Sequence, residues 1–309
     1  MPRPMLTLNT MTGPRTRARA LLPGLFVLLW STGFIGARLG LPDAEPLTFL
    51  SVRYALVIVL MSGVVVVTGA RWPRGWRQFA HIAITGLLVH GVYLGGVYIA
   101  LRRGLPAGPT ALVVGMQPLL TAVGAGVLLR SRVSGREWAG LALGLAGLVL
   151  VVGSKMGMSG LGAGSLAPML VPAVAALLGI TAGTLYQKAF CPRFDLATGA
   201  LIQFVPTLLV TAAVAFQTET MHITWTGQFV FALLWLVVIL SLGAITLLNL
   251  LIRQGSAVNV ASLFYLVPPT TALIAWAVFR ETLPALAIAG MIVAVAGVWL
   301  ARKGQEAAA

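Results

Sequence analysis

The chain has 309 residues, of which 59% are hydrophobic and 9% are charged, and its mean hydropathy is +0.96. Because a soluble globular chain carries roughly a quarter charged residues and a disordered chain has low hydrophobicity, both classes are excluded. The net charge of +14 does not indicate a nucleic-acid partner, since the basic residues stand at the ends of apolar stretches, where they set topology. We expect an all-α integral membrane protein in a lipid bilayer, with about ten crossings of about 20 residues each.

Ten apolar stretches, bounded by charge, glycine or proline, are predicted as transmembrane helices. They span residues 21–41, 47–69, 79–101, 110–129, 138–154, 166–187, 196–216, 227–250, 259–279 and 285–301. Residues 1–20 are predicted as a basic cytoplasmic tail and 304–309 as a C-terminal tail. The run that begins at Leu21 is too long for the apolar part of a secretory leader, so we predict an uncleaved first span.

Lysines and arginines are distributed unevenly between alternate loops. Fifteen fall in the loops and tails on one side of the predicted helices, and four fall on the other side. Because positively charged loops stay in the cytoplasm, both termini are predicted to be cytoplasmic, in a bacterial inner (plasma) membrane.

The second half of the sequence repeats the first at an offset of 150 residues. Residues 110–152 align without gaps to 260–302 with 11 identities in 43 positions, among them Pro118 with Pro268. This spacing predicts a duplicated unit of five helices. Because five is odd, the second copy enters the membrane from the opposite side, and inverted copies can exchange conformations around a shared central cavity. Transport by alternating access is the natural use of such an arrangement.

A Gly-rich stretch separates the two predicted copies. We assign 21–154 to the first copy, 155–165 to a linker and 166–303 to the second copy. The linker contains Gly157-Met158-Ser159-Gly160, a pattern that intramembrane serine proteases display. That chemistry needs a histidine base within reach of the serine at membrane depth, so we expect a loop here, no catalytic residue and no enzyme.

Several short motifs carry a resemblance to a known family. They are Leu-Leu-Trp-Ser-Thr-Gly-Phe at 28–34, Pro46 and Arg53 around helix two, Ala261-Ser262 and Tyr265-Leu266-x-Pro268 in helix nine, and Phe279-Arg280-Glu281-Thr282-Leu283 at its end. The chain resembles the ten-helix members of the drug/metabolite transporter superfamily that carry two EamA repeats. This resemblance covers nearly the whole chain. It implies export of small metabolites, amino acids included, through a central cavity lined by helices one, three, four, six, eight and nine.

The acidic residues restrict the source of energy. All seven lie in loops, in tails or at helix ends, with Glu281 the nearest to an exception. Proton- and cation-coupled carriers usually hold a carboxylate within the bilayer. The sequence also has no Gly-x4-Gly-Lys-Ser/Thr loop for a nucleotide. We therefore expect no cofactor and no metal, and either facilitated diffusion or coupling through a histidine.

His90, near the middle of helix three, is the titratable residue best placed for such coupling. A histidine at this depth hydrogen-bonds a neighbouring helix or lines the cavity, and both roles stay open. Tyr93 and Tyr98 fall on the same flank of the helix. We predict that the three residues contribute to a substrate-binding site.

Arg53 lies about six residues inside helix two, or about 9 Å from its outer end at 1.5 Å per residue. A long arginine side chain can extend over this distance to the lipid headgroups, so we favour structural anchoring over recognition of a substrate carboxylate. Arg38, at the outer end of helix one, is interpreted in the same way.

Pro118 and Pro268 occupy equivalent positions in the middle of helices four and nine, and we predict hinges there. A proline inside a helix removes one backbone hydrogen bond, so the carbonyls of Val114 and Phe264 need other partners. Residues next to these breaks are predicted to reach the cavity: Met116, Gln117 and Tyr265. Polar and aromatic residues on the other cavity helices complete the predicted substrate site: Trp30, Ser31, Tyr186 and Asn249.

Taken together, the sequence predicts a secondary transporter that exports small amphipathic metabolites, with amino acids as the first candidate. The alternatives are a multidrug-type exporter of the same architecture, an intramembrane enzyme and a non-transporting membrane scaffold. A monomer and a homodimer are both compatible with the sequence.

Overall fold

The computed structural model describes residues 14–105, 110, 113–128, 133–156, 166–191, 193–254, 257–279 and 284–306, and the regular structure within these ranges is helical. Counting π and 3-10 turns as part of the helix that they continue, the helices are α1 (Pro14–Gly40), α2 (Pro46–Thr68), α3 (Trp76–Arg102), α4 (Gln117–Leu128), α5 (Gly135–Met156), α6 (Leu166–Phe190), α7 (Leu196–Thr218), α8 (Gly227–Gln254), α9 (257–279) and α10 (Ala285–Glu306).

Six stretches in the described part of the chain are long and apolar enough to cross a membrane. They are Leu21–Gly40 within α1, α2, α3, Leu170–Phe190 within α6, α7 and α8. Shorter apolar stretches occupy Val260–Ile274 in α9 and Ile288–Ala301 in α10. The predicted all-α membrane fold is confirmed at this level, while the ten crossings and the inverted repeat stay predictions.

α1 starts at Pro14, inside the predicted tail. Residues 110, 113 and 114 are helical within the predicted fourth span, but a turn at Gly115 and Met116 interrupts this span before α4 starts at Gln117. Some features singled out in the sequence lie outside the described residues. These are residues 1–13, 157–165 with Ser159, 280–283 with Glu281, and 307–309.

The helices expose apolar side chains and bury polar ones, which is the reverse of a water-soluble bundle. Val67 in α2 is 86% exposed and Phe216 in α7 is 80% exposed. On the inner faces of the same helices, Arg53, Gln203 and Thr207 are buried. Apolar surface on this scale is covered by lipid in a membrane, whereas water would penalise it.

α2 and α7 occupy equivalent positions at the offset of 150 residues, and both are 23 residues long. Pro46 begins α2, where its missing N–H removes no helical hydrogen bond, and Gly69 ends the helix in the left-handed conformation with φ 58°. Asp195 begins α7, where its carboxylate accepts hydrogen bonds from the backbone N–H groups of Ala197 and Thr198.

These two equivalent helices pack against each other in antiparallel orientation. The Glu219 carboxylate, just after α7, accepts hydrogen bonds from the N–H groups of Leu47 (2.8 Å) and Thr48 (2.7 Å) at the start of α2. At the other end, the Thr198 hydroxyl at the start of α7 donates to the Arg71 carbonyl just after α2, at 2.8 Å.

α5 and α10 are equivalent at the same offset and pack antiparallel at backbone contact distance. Gly140 faces Gly297, and Gly147 faces Gly290. Because Gly290 is the repeat counterpart of Gly140 and Gly297 is that of Gly147, the two contacts are equivalent to each other. A side chain at Gly147 would overlap the backbone of Ala294. Small residues at this spacing permit close approach of membrane helices.

Irregular backbone also recurs at the offset of 150 residues. α3 contains a π-helical segment at Leu87–Leu94, and α8 contains one at Leu236–Ala244. The turn before α4 corresponds to the 3-10 segment Leu263–Leu266 in α9. Such departures from α geometry often mark functional positions.

The structure corrects the expected environment of the two prolines. Pro118 is the second residue of α4, and Pro268 is the second residue of the α segment Val267–Phe279, so neither lies inside a continuous α-helix. At this position a proline removes no intrahelical hydrogen bond. The Phe264 carbonyl is not free either, because it accepts the N–H of Val267. The hinge role of both prolines stays a prediction.

Candidate functional site

A narrow cavity lies among α1, α2, α3 and α8. Its volume is about 30 Å³. This is room for about two water molecules, so a metabolite can enter only when the helices move apart. The cavity is lined by Trp30, Gly33, Phe34, Ala37, Arg53, Tyr93, Leu94, Val97, Tyr98, Leu240 and Ile245.

Aromatic rings form one wall of this cavity. Trp30 stacks on Tyr93 with ring centroids 6.2 Å apart and planes at 10°, and it meets Phe264 of α9 edge to face at 5.3 Å. A smaller adjoining cavity shares Trp30 and Tyr93 and continues to Gly115 and Pro268. The aromatic wall therefore extends from the main cavity to the breaks before α4 and in α9.

Arg53 supplies the charge of the cavity. Its side chain is 1% exposed. Its Nε donates to the Ser241 hydroxyl at 3.0 Å, and its Nη1 donates to the Tyr98 hydroxyl at 3.3 Å. Ser241 belongs to the π-helical segment of α8 and donates in turn to the Leu236 carbonyl at 3.1 Å. Anchoring of Arg53 at the lipid headgroups was therefore the wrong expectation, because the guanidinium points inward.

The structure brings three of the predicted site residues together, since Trp30, Tyr93 and Tyr98 all line the main cavity. Ser31 lies beside them at the contact between α1 and α9. Its hydroxyl donates to the Val27 carbonyl at 2.7 Å and stands 3.2 Å from the Val267 carbonyl.

His90 is fully buried but does not line this cavity. Its Nε2 lies 3.3 Å from Oε1 of Gln203, and its ring stacks on Phe204 of α7 with centroids 4.2 Å apart. Its backbone carbonyl accepts the Tyr54 hydroxyl at 2.8 Å. These contacts join α3 to α2 and α7, which is the helix-bonding alternative left open by the sequence.

The residues predicted beside the prolines lie apart from both cavities. Met116 is 38% exposed, whereas Gln117 and Tyr265 are fully buried. The Tyr265 ring lies against Gly144 of α5. The side-chain polar atoms of Gln117 and Tyr265 have no hydrogen-bond partner within the described residues.

Tyr186 and Asn249 connect helices at the end where α6 and α8 finish. The Tyr186 hydroxyl lies 2.7 Å from Nδ1 of His81 in α3. Asn249 Oδ1 accepts from Gln187 Nε2 at 2.9 Å. Neither residue lines the main cavity or its smaller neighbour.

Sequence reasoning weighed Arg53 for recognition of a substrate carboxylate but favoured anchoring, and it did not propose Ser241 or Phe34 as binding residues. An arginine within an apolar span was the available signal for Arg53, since ionisable residues at that depth are functional candidates by default. Ser241 and Phe34 had no comparable signal. For metals, no group of three His, Cys, Asp or Glu side chains suited to an ion occurs among the residues with described positions.

One end of the bundle is closed by two loops, 41–45 and 219–226, whose contact we call the loop clasp. Glu219 binds the start of α2 as described above, and Glu45 reciprocates by accepting both the N–H and the hydroxyl of Thr220 at 2.6 Å. Asp43 accepts the Thr226 hydroxyl at 2.8 Å. The Thr220 hydrogen bonds hold the pKa of the Glu45 carboxyl below its ordinary value of 4.5.

The opposite end of the same helices carries a recess at its surface. A basin of 1110 Å³ lies between the loop after α2 and the loop before α7. Three arginines line it, namely Arg71, Arg74 and Arg193, together with Trp72, Pro73, Gln78, Phe194 and Asp195. The structure is thus closed at the loop clasp and recessed at the other end.

Comparison with known proteins identifies the class of the molecule. The EamA-like transporter family matches residues 20–153 and again 167–302. The chain therefore belongs to the EamA-like transporter family, and it is a membrane transporter built from two copies of that unit.

Individual relatives are more distant. The chain is 27% identical over 301 residues to the uncharacterized transporter YvbV of Bacillus subtilis, with 96% of each chain covered. It is 24% identical to a probable amino-acid metabolite efflux pump of Salmonella typhimurium, covering 92% of this chain and 95% of that one. A solved crystal structure with 20% identity superimposes with a TM-score of 0.75 and covers 92% of this chain and 96% of the other, which shows a shared fold.

Proposed function

We propose that this protein is a secondary transporter that exports small amphipathic metabolites, amino acids first among them, by alternating access and without nucleotide hydrolysis. Substrate occupies the cavity among α1, α2, α3 and α8. The protein resides in a bacterial inner membrane with both termini in the cytoplasm, as the uneven distribution of lysines and arginines favours.

One observation carries the alternating-access mechanism: equivalent helices of the two copies run in opposite directions. α2 and α7 are antiparallel, and so are α5 and α10. A copy whose helices are reversed relative to the other copy has the opposite orientation in the membrane. Such inverted copies can exchange shapes, which moves the opening of a shared cavity from one side to the other.

The two ends of the bundle support the same mechanism. At the offset of 150 residues, loop 41–45 corresponds to 191–195, and loop 219–226 corresponds to 69–76. Loops 41–45 and 219–226 form the loop clasp, and residues of their two counterpart loops border the basin. With both termini in the cytoplasm, the clasp is external and the basin is cytoplasmic. The basin shares no lining residue with the substrate cavity, so a path between them requires the helices to move.

The chemistry of the cavity favours amphipathic metabolites with a negative group. Its wall is aromatic, its charge is the single guanidinium of Arg53, and the tyrosine hydroxyls supply hydrogen bonds. A relative that covers nearly the whole chain is named a probable amino-acid metabolite efflux pump. Amino acids combine an apolar body with charged ends and therefore suit this lining.

Counterflow in proteoliposomes tests the proposal. Liposomes loaded with an unlabelled amino-acid mixture should accumulate labelled amino acids only when the protein is present. Accumulation of a lipophilic cationic dye without amino-acid counterflow would instead indicate a multidrug-type exporter. Absence of counterflow for both classes would refute transport of small amphipathic compounds.

An imposed pH gradient tests the source of energy in the same liposomes. Because His90 is bonded between helices away from the cavity, we expect counterflow rates in its His90→Gln variant to respond to the gradient as in the unsubstituted protein. A gradient-dependent acceleration that this substitution abolishes would assign proton coupling to His90.

A further inference from the structure

We propose that Arg53 receives a carboxylate of the transported metabolite, so that the substrates are small organic acids, amino acids included. This inference rests on the transport function proposed above and specifies the chemical class that the cavity selects.

The neighbours of the Arg53 guanidinium are neutral. Its hydrogen-bond acceptors in the described chain are the hydroxyls of Ser241 and Tyr98. Guanidinium carries five N–H donors, so donors remain beyond these two bonds, and the side chain borders the cavity. Ser241 and Tyr98 hold the group at its edge and leave it directed at the space where substrate would sit.

No carboxylate of the described chain neutralises this charge. Each acidic side chain whose contacts are described is bonded elsewhere: Asp43, Glu45 and Glu219 in the loop clasp, Glu137 at the start of α5 with Ser134, and Asp195 at the start of α7. A buried cation without a counter-charge is costly. A ligand carboxylate would therefore gain affinity by supplying that counter-charge.

The geometry of the cavity adds selectivity for one kind of acid. The planar guanidinium can donate two parallel hydrogen bonds to the two oxygens of one carboxylate. The stacked rings of Trp30 and Tyr93 lie in the same cavity and suit an apolar body attached to the acid. A monocarboxylate with a small aromatic or aliphatic side chain satisfies both parts.

The first test compares acids with their neutralised analogues on the unsubstituted protein. Phenylalanine and phenylalaninamide compete with a labelled substrate in counterflow, and both are added to detergent-solubilised protein to measure the shift in its unfolding temperature. 3-Phenylpropionate and its amide distinguish an amino acid from a simple carboxylate. We expect each amide to bind about 10- to 100-fold more weakly than its acid, the range typical of a hydrogen bond to a charged group.

Variants locate the effect. Arg53→Lys keeps the positive charge but cannot donate two parallel hydrogen bonds to a carboxylate. We therefore expect weaker binding of acids, with the preference for acids over amides retained. Arg53→Gln should bind acid and amide alike. Arg77→Gln, an exposed arginine of α3 that lines neither cavity nor basin, is the matched control and should keep the preference.

The outcomes separate this inference from the transport proposal. Transport of amides as well as acids by the unsubstituted protein would leave transport standing and overturn the role of Arg53. The same holds if Arg53→Gln, folded as judged by its unfolding temperature, still prefers acids. Acid-specific thermal stabilisation without counterflow would support the Arg53 site and refute transport.

Discussion

Trp30 is the residue that connects the cavity to the irregular backbone. It stacks on Tyr93 inside the cavity and meets Phe264 at the 3-10 segment of α9. A movement of α9 at this segment therefore changes the aromatic wall directly. The proposed substrate site and the 3-10 segment of α9 thus contact the same side chain.

Replacing Trp30 with leucine tests the aromatic wall. The substitution keeps an apolar side chain but removes ring stacking, which is worth about 0.5–1.5 kcal/mol. We expect apparent affinity for phenylalanine in counterflow to fall about 2- to 10-fold, with a smaller change for leucine. Trp76→Leu is the control, because Trp76 is 77% exposed, and equal losses in both variants would contradict the assignment.

The Glu45 carboxyl gives the loop clasp a dependence on pH. Its folded-state pKa lies below the ordinary 4.5, so its hydrogen bonds stabilise the fold fully above pH 4.5 and are lost as the pH falls through the lower, folded-state value. We expect Glu45→Gln to remove this part of the acid-induced decrease in unfolding temperature. If the unfolding temperatures of the two proteins fell equally as the pH decreased below 4.5, the result would contradict a hydrogen-bonded Glu45 carboxylate.

At the residue scale, the sequence located the aromatic wall but not the charge beside it. Trp30, Tyr93 and Tyr98 could be predicted because polar-tipped rings on predicted cavity helices are few. Arg53 was assigned to the headgroups because its depth permits an outward rotamer. The inward rotamer depends on Ser241, which lies 188 positions away in the chain, and spacing along one helix carries no information about such a contact.

At the scale of helices, α5 and α10 bring the two copies together at backbone contact distance. Gly147→Val would force the Cβ against the backbone of Ala294, where no flexible side chain can yield. We expect the free energy of unfolding to fall by about 1–3 kcal/mol, measured as a lower unfolding temperature in detergent.

Gly24→Ala in α1 is the matched control for this pair. An added Cβ at Gly24 meets nothing within 4 Å, and alanine favours a helix over glycine, so stability should stay equal or rise by up to about 1 kcal/mol. Comparable losses in both variants would contradict a specific effect of the close contact at Gly147.

Sequence patterns predicted which segments are helical better than how the helices are interrupted. Apolar length alone was enough for α2 and α7. The π-helical turns of α3 and α8 leave no mark in an apolar run, because π and α turns present similar side-chain types. Pro118 and Pro268 indicated an interruption correctly, but only the structure shows that the break precedes the proline rather than surrounding it.

For the whole molecule, the loop clasp must open if substrate leaves on that side. Glu45→Cys with Thr220→Cys, in a Cys191→Ser background that removes the chain's one natural cysteine, places two thiols across the clasp. We expect a short thiol cross-linker to reduce counterflow at least tenfold, with recovery when a cleavable linker is reduced. Either single-cysteine variant is the control, and full counterflow after cross-linking would exclude opening at the clasp.

The two ends of the molecule are chemically unequal. Glu219 bonds α2 across the clasp, but its counterpart in the other copy is Gly69, and Asp195, the counterpart of Glu45, accepts from its own helix. The basin end therefore has no equivalent carboxylate hydrogen bonds between the two copies, and each 1.4 kcal/mol of difference in stability changes the occupancy ratio of the two states about tenfold. We expect the state that is closed at the clasp to be the more populated one in the absence of substrate.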